Sequence, residues 1–492
     1  MTIRTYSPRI EVRLIKTARR GALATGKQAA ARYQELTSLD LTEYLIAGEP
    51  VTIRHQIGAA SMWNLSLADK VVPEYGESLC YLIEPNDIIE IRMARSPHEY
   101  SRGLPVVLRG FVSSVDRSRA NMGGQLHRRV HVGGADFSKV LDIIRIYYLN
   151  NSAVGDNIMG EFGFFQKYAA LSDTKIMSAK EFAELVLEKV INPFLARLTR
   201  DSTGALVGAQ VLGQLEPEVS IEGTVSPLSV SLFSDGSVRQ FLSQFLDVGA
   251  FNEMFVDDRD STSVLVIRPN RFMDLDGNLI QGDAAAQQEA IDSIIDIPAT
   301  DIESISQGRS DAGVANYFWV SNNGWQIQDT IEVSQLAATS NVEQYALTDY
   351  VNAHPARFGF RKMEVSSALG APQQDYADAM KADQSRAETD RLLAWLTERR
   401  RVLAEQNKDN SILEDGQMVV AGNERIKRGM YVRTAIGTQA PALHYVTAVA
   451  HQFIPNGTFK TTISFERGTG FALRAGGDDG GYYAERNMKG LL

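Results

Sequence analysis

The stretch HYVTAVAHQFIPNGTFKTTISFERGTGF (residues 444–471) holds two histidines, a turn and a Gly-Thr-Gly, and the class of the protein turns on whether it is a site or a hairpin. On a strand, side chains alternate with a period of two, so His444 and His451, seven apart, are expected on opposite faces and cannot share a ligand. Ile454-Pro-Asn-Gly457 has turn chemistry, with Gly457 as the expected positive-φ residue. In the returning strand Phe459, Ile463 and Phe465 point one way, and Lys460, Thr462, Ser464 and Glu466 the other. Arg467-Gly-Thr-Gly470 lacks both the third glycine and the following helix of a dinucleotide fingerprint. The stretch reads as a hairpin.

The same alternation recurs near the start. DIIEIRMA (87–94) sets Ile89, Ile91 and Met93 against Glu90 and Arg92, as a half-buried strand does. LPVVLRGFVSSVDRSR (104–119) and QLHRRVHVGG (125–134) flank ANMGG as a second hairpin, and short strands with regular turn signals predict a small barrel or sandwich. The middle differs. SAKEFAELVLEKVINPFLARL (178–198) opens with a capping box, Ser178 and Glu181, and carries Phe182, Leu185, Val186, Val190, Phe194 and Leu198 at helical spacing. A second helix fits 237–249, with Phe241, Leu242, Phe245 and Leu246 facing inward, ahead of strand SVLVIRP (263–269). A long helix without Pro or Gly is expected over 376–406, and strands return after it.

At 492 residues the chain is expected to form about two to four domains. Its 44% hydrophobic content supplies ample core, and its net charge of −10 offers no general affinity for nucleic acid. The single cysteine, Cys80, excludes a disulfide framework and any multi-cysteine metal site, which suits a reducing compartment. The most apolar run, VLDIIRIYYL (140–149), spans about half a bilayer and contains Asp142 and Arg145, so no membrane insertion is expected. The N-terminus has no signal-peptide core. Eight cations, from Arg4 to Arg32, stand against Glu11 and Glu35 in the first thirty-five residues. This basic arm reads either as a solvated extension or as one that docks on an acidic neighbour.

The motifs that could carry chemistry fall short one by one. GALATGKQ (21–28) keeps the frame of a phosphate loop, but Gln28 stands where a Mg²⁺-binding hydroxyl belongs. His127 and His131 share a strand face roughly 13 Å apart, too far to grip one metal. DLDGN (274–278) begins like a calcium loop, yet Gly277 comes early and Ala285 occupies the twelfth position, so a hairpin turn is expected. Glu398-Arg-Arg-Arg401 reads as the wet side of the long helix, countered by Glu398 and Glu405. No nucleophile motif or zinc motif is present, and no catalytic, cofactor-binding or metal-binding residue is assigned. A carboxylate pair for glycoside cleavage leaves no mark in a sequence.

Several stretches, in order, resemble the baseplate hub proteins of contractile-tailed bacteriophages. SMWNLSLADK (61–70), EPNDIIEIRMA (84–94), LPVVLRGFVSSVDRSR and RVHVGGADFSKVLDIIRIYYL (129–149) resemble that family's first tube-type barrel. DIESISQGRSDAGVANYFWVSN (301–322), AWLTERRRVLAEQN (394–407), GNERIKRGMYV (422–432) and the 444–471 hairpin resemble its second. The resemblance covers about 50–150 and 300–470. It implies an α+β, mainly β chain with two tube-type β-barrel domains, an intervening α+β domain and an inserted long helix. The boundaries expected are a basic arm at 1–48, the first barrel at 49–150, the α+β domain at 151–299, the second barrel at 300–474 with helix 376–406, and a flexible tail at 475–492.

By the same resemblance the chain is a structural piece and not an enzyme. It forms a homotrimer, a pseudo-sixfold ring that joins the tail tube to the central spike and surrounds the DNA exit channel. Its partners are the spike protein, a tail tube or tube-initiator protein, baseplate wedge proteins and the tape measure protein, with DNA passing through but not specifically bound. It is made in the bacterial host cytoplasm and resides in the virion baseplate. No β-helical repeat follows Phe471, so a separate spike chain is expected. The rival functions are a tail-associated peptidoglycan-degrading enzyme and the hub of a non-phage contractile injection system.

Overall fold

The computed structural model describes residues 7–16, 38–122, 125–147, 177–198, 214–225, 235–322, 350–372, 382–435 and 441–476. Over these residues the fold is α+β and mainly β, as the alternating patterns predict. Its frame is a 13-stranded sheet. From one end the path runs Ile302–Gly308, Glu414–Ala421, Phe459–Gly468, Ala442–Phe453, Val51–Gln56, Met62–Ala68, Gln125–Asp136, Val106–Met122, Ile88–Ala94, Arg9–Ile15 and Ser38–Asp40. Neighbours on this path are antiparallel throughout. Strands from the two ends of the chain meet inside it, where Ala448–Phe453 pairs with Gln56–Val51.

The 444–471 stretch is the hairpin its pattern predicts, with two differences. A bulge between Val446 and Ala448 shifts the alternation by one residue. Val446 and Val449 therefore enter the same core, and His444 and His451 fall on one face instead of two. They still lie too far apart along the strand to share a ligand. At the turn it is Asn456 that takes positive φ (58°), not Gly457. Glycine at 457 answers to space, because a Cβ there would sit 2.9 Å from Ile454 Cγ2. The first hairpin, Val106–Met122 with Gln125–Asp136, carries a matching bulge between Val112 and Ser114.

Strand Ile88–Ala94 is buried on both faces, not one. Ile89, Ile91 and Met93 join one core, while Ile88 joins another on the far side. Glu90 is accommodated there by Arg109, whose Nε donates to its carboxylate at 2.7 Å. Part of the expected basic arm is also sheet. Arg9–Ile15 alternates cation or acid with Ile10, Val12 and Leu14, and pairs along its whole length with Ile88–Ala94. Next to it Lys16 is buried, donating to Asp87 at 2.6 Å and to the carbonyl of Leu82 at 2.8 Å. Over these residues the arm is neither a solvated extension nor a free docking segment. The glycine-rich segment 21–28 and the tail from 477 lie outside the described residues.

The middle supplies helices to the sheet's other face. Ser178 and Glu181 form the expected capping box, and a second one, not read from the sequence, joins Ser237 and Gln240 ahead of Val238–Phe245. The first helix is not uniform: between Ala179–Val186 and Asn192–Leu198 the segment Leu187–Ile191 is a π turn. Pro193 has no N–H to donate to the carbonyl four residues back, and the helix widens there. The apolar stripe is broader than expected: Leu187, Ile191 and Leu195 are buried beside Phe182, Val186 and Val190, while Leu185 and Phe194 are half-buried against the same core. Phe182, Phe241 and Phe245 stack with centroids 5.0–6.4 Å apart. Each such buried ring contributes about 1.5–3 kcal/mol of burial free energy, and Phe111 of the sheet and Phe137, just past the end of strand Gln125–Asp136, share their core. The hairpin Asn252–Asp258 with Ser263–Pro269 completes this region, with Leu215–Val219 parallel beside it. The long helix covers Ala382–Asn407, and its expected residues 376–381 fall outside the described set. Leu392, Leu396 and Leu403 pack it on Phe318 and Val320.

Candidate functional site

The two histidines of the closing hairpin are core residues. His444 packs 4.4 Å from the Phe465 ring, with Nε2 3.0 Å from Thr434 Oγ1. His451 Nδ1 lies 3.1 Å from Thr461 Oγ1. Burial pushes both down to about 4, so both rings are neutral at physiological pH. His127 is exposed, and His131 meets Ser66 Oγ at 2.9 Å on the same polar face. Asp274 closes a hairpin turn, its Oδ1 accepting from the amides of Asp276 and Asn278, with Gly277 at φ 84°. Among the described residues no group of three His, Cys, Asp or Glu could hold a metal ion, and no helix is long and apolar enough to cross a membrane.

What the sequence did not announce is a seam of buried arginines where the middle hairpin docks on the sheet. Arg109, 2% exposed, donates from Nε to Glu90, from Nη1 to the carbonyls of Arg259 (2.5 Å) and Thr262 (3.2 Å), and from Nη2 to that of Asp260 (2.5 Å). Its own amide donates to Asp258 Oδ2 at 2.8 Å. Burial pushes Asp258 up to about 7, against the hydrogen bonds from Ser263 and that amide. Arg428 sits deeper along the seam, donating to Ser61 Oγ (2.7 Å), to the Gln56 carbonyl (3.1 Å) and to the Val256 carbonyl, with Asp136 at 3.7 Å. A third knot joins Arg268, Glu253 and the Tyr445 hydroxyl. Arg109 and Glu253 interrupt apolar strand runs, VVLRGFV and NEMFVDD, and that interruption is the signal that could have found them; Arg428 lies in a polar turn that gives none.

The ERRR cluster is not the wet face expected of it. Arg401 does pair with Glu398, at 2.7 Å. Arg399 and Arg400 are each 5% exposed, because the helix turns them toward aromatic neighbours. Arg400 lies 4.2 Å from the Trp319 ring centroid; Arg399 lies 4.2 Å from Trp395 and 4.7 Å from Phe251. Arg399 also lines a cleft of about 580 Å³ between the long helix and the segment 279–289.

No protein-family model matches the chain, and no curated protein matches it. Solved structures do. The tail protein from Neisseria meningitidis MC58 aligns at 10% identity over 95% of this chain and 98% of its own, with a TM-score of 0.47. The 43 kDa tail protein of prophage MuSo2 from Shewanella oneidensis aligns at 10% identity over 93% and 96%, with a TM-score of 0.42. The prophage tail protein gp18 from Listeria monocytogenes EGD-e aligns at 9% identity over 92% and 94%, also with a TM-score of 0.42.

Proposed function

We propose that this chain is a structural subunit of a contractile-tail baseplate: a hub that assembles as a homotrimeric, pseudo-sixfold ring between the tail tube and the central spike. In this reading 49–150 and 300–474 are its two tube-type barrels and 151–299 is the domain between them. The ring meets the spike below, the tube or its initiator above and wedge proteins outside. The tape measure protein and then DNA pass through its opening. Its work is to hold position and not to catalyse.

The observation that carries this reading is the pairing of Ala448–Phe453 with Val51–Gln56. A ring of three chains presents six equivalent units only if the two units of each chain keep a fixed angle. Backbone hydrogen bonds across the join, with Phe453 and Phe459 buried among Val51, Ile53 and Trp63, supply that stiffness. The two bulged hairpins, 106–136 and 442–468, lie in this one sheet and coincide with segments that resemble the family's barrels. Electron microscopy of the chain co-expressed with its neighbouring spike and tube proteins tests the proposal. It predicts threefold particles with six lobes around an opening; single-chain particles in every combination would refute it.

A further inference from the structure

We infer that the cleft beside Arg399 is a receptor for a single carboxylate presented on a peptide of a partner protein. This holds whether or not the chain is a hub. The other cations that line the cleft are neutralised from within: Arg268 by Glu253 at 2.5 Å, Arg271 by Glu289 at 2.7 Å and Arg401 by Glu398 at 2.7 Å. Arg399 is not. It is 5% exposed, and among the described residues its only hydrogen bond is a long one, 3.4 Å from Nη1 to Gln281 Oε1. Its Nε is sealed from solvent and has no acceptor among the described residues. Asp247, Glu222 and Glu398 act on it only through space, and Asp247 is already engaged by Ser367 Oγ and the Ala368 amide. A buried guanidinium held between Trp395 and Phe251 without an ion-pair partner is costly, and an incoming anion relieves that cost.

The surroundings select the anion. A guanidinium fork matches the planar carboxylate. Glu222, Asp283, Glu289 and Glu398 also line the cleft, and they repel a phosphate dianion or a nucleic-acid strand more strongly than a monoanion. The volume of about 580 Å³ is far more than a carboxylate fills and lies within the range of ligand sites. Ile280, Ala286 and Val402 offer apolar wall to the residues that flank the acid. The rim at 282–285 and at Glu398 is exposed, so a peptide can lie across it.

The probes are the peptides acetyl-Gly-Glu-Gly-amide and acetyl-Gly-Gln-Gly-amide, with acetate and inorganic phosphate, titrated onto the full chain by ligand-observed NMR. The glutamate peptide is expected to bind about tenfold or more tighter than its glutamine twin, the worth of one charge-assisted hydrogen-bonded pair. Acetate and phosphate should both bind more weakly. Arg399→Met should abolish the preference while the protein keeps its fold, since it removes an uncompensated buried charge. If that variant does not fold, Glu222→Gln on the exposed rim still decides, because it should tighten the glutamate peptide a few-fold. Equal binding of the two peptides would overturn the site. Acetate binding as well as the peptide would overturn the peptide as its source, and phosphate binding more tightly would overturn the carboxylate.

Discussion

Replacing Arg109 by methionine should undock the middle hairpin from the sheet. The guanidinium reaches three backbone carbonyls of the turn 259–262 and one carboxylate, that of Glu90. Hydrogen bonds from a charged donor contribute about 1.5–3 kcal/mol each before the cost of burying the charge is subtracted. After that subtraction, breaking a buried pair by removing one partner typically costs about 3–5 kcal/mol. Methionine fills much of the volume, so the loss is polar and not a cavity. Glu90 retains Arg92 at 2.7 Å, which places the expected value toward the lower end, about 3 kcal/mol. Urea denaturation followed by tryptophan fluorescence measures it, and the midpoint should fall with an unchanged slope. Arg109→Lys keeps the charge but not the fork, and should lose about half as much. A midpoint for Arg109→Met within about 1 kcal/mol of the native protein would show that the seam does not hold the hairpin.

Three further outcomes are expected. Gly134→Ala should destabilise severely, by more than about 3 kcal/mol, because its Cβ would lie 2.0 Å from Phe111 O and 2.6 Å from the Trp63 ring; Gly133→Ala, with nothing nearer than 3.4 Å, should be tolerated, and thermal melts of the pair compare them directly. His451 holds its neutral form down to about 4 in the fold but protonates near its ordinary 6.5 when unfolded, so protons favour the unfolded chain and stability is lost as pH falls from 6.5 to 4. The loss should reach about 3 kcal/mol in the native protein and be missing from His451→Gln, so that the difference between their urea midpoints changes with pH over that window. Asn456→Gly should be nearly neutral and Gly457→Ala costly, since positive φ falls on the first and the close contact with Ile454 on the second; equal losses in the two melts would contradict the turn assigned here.

Much of this fold was legible where pattern is local. The capping box at Ser178, the inward face of 238–245, the alternation of 459–465 and the hairpin at 274–278 follow from spacing alone. The features that were not legible depend on partners far along the chain. The bulge at 446–448 comes from the fit of one strand to two neighbours, 459–468 and 51–56, and no two-residue period announces it. Strand 88–94 has an alternating pattern, yet a second core lies on its polar side because Arg109 neutralises Glu90 there. Arg399 and Arg400 look like solvated helix residues until Phe251 and Trp319 arrive from other segments and, with Trp395 one turn back on the same helix, cover them. Charge in a sequence marks a solvated face only when nothing folds over it.

The most direct test of the ring is the solution mass of the purified 54.2 kDa chain, alone and with its candidate spike, by light scattering. The hub reading predicts three chains per particle in at least one of the two samples. A mass of one chain in both, in the presence also of the tube protein, would contradict it.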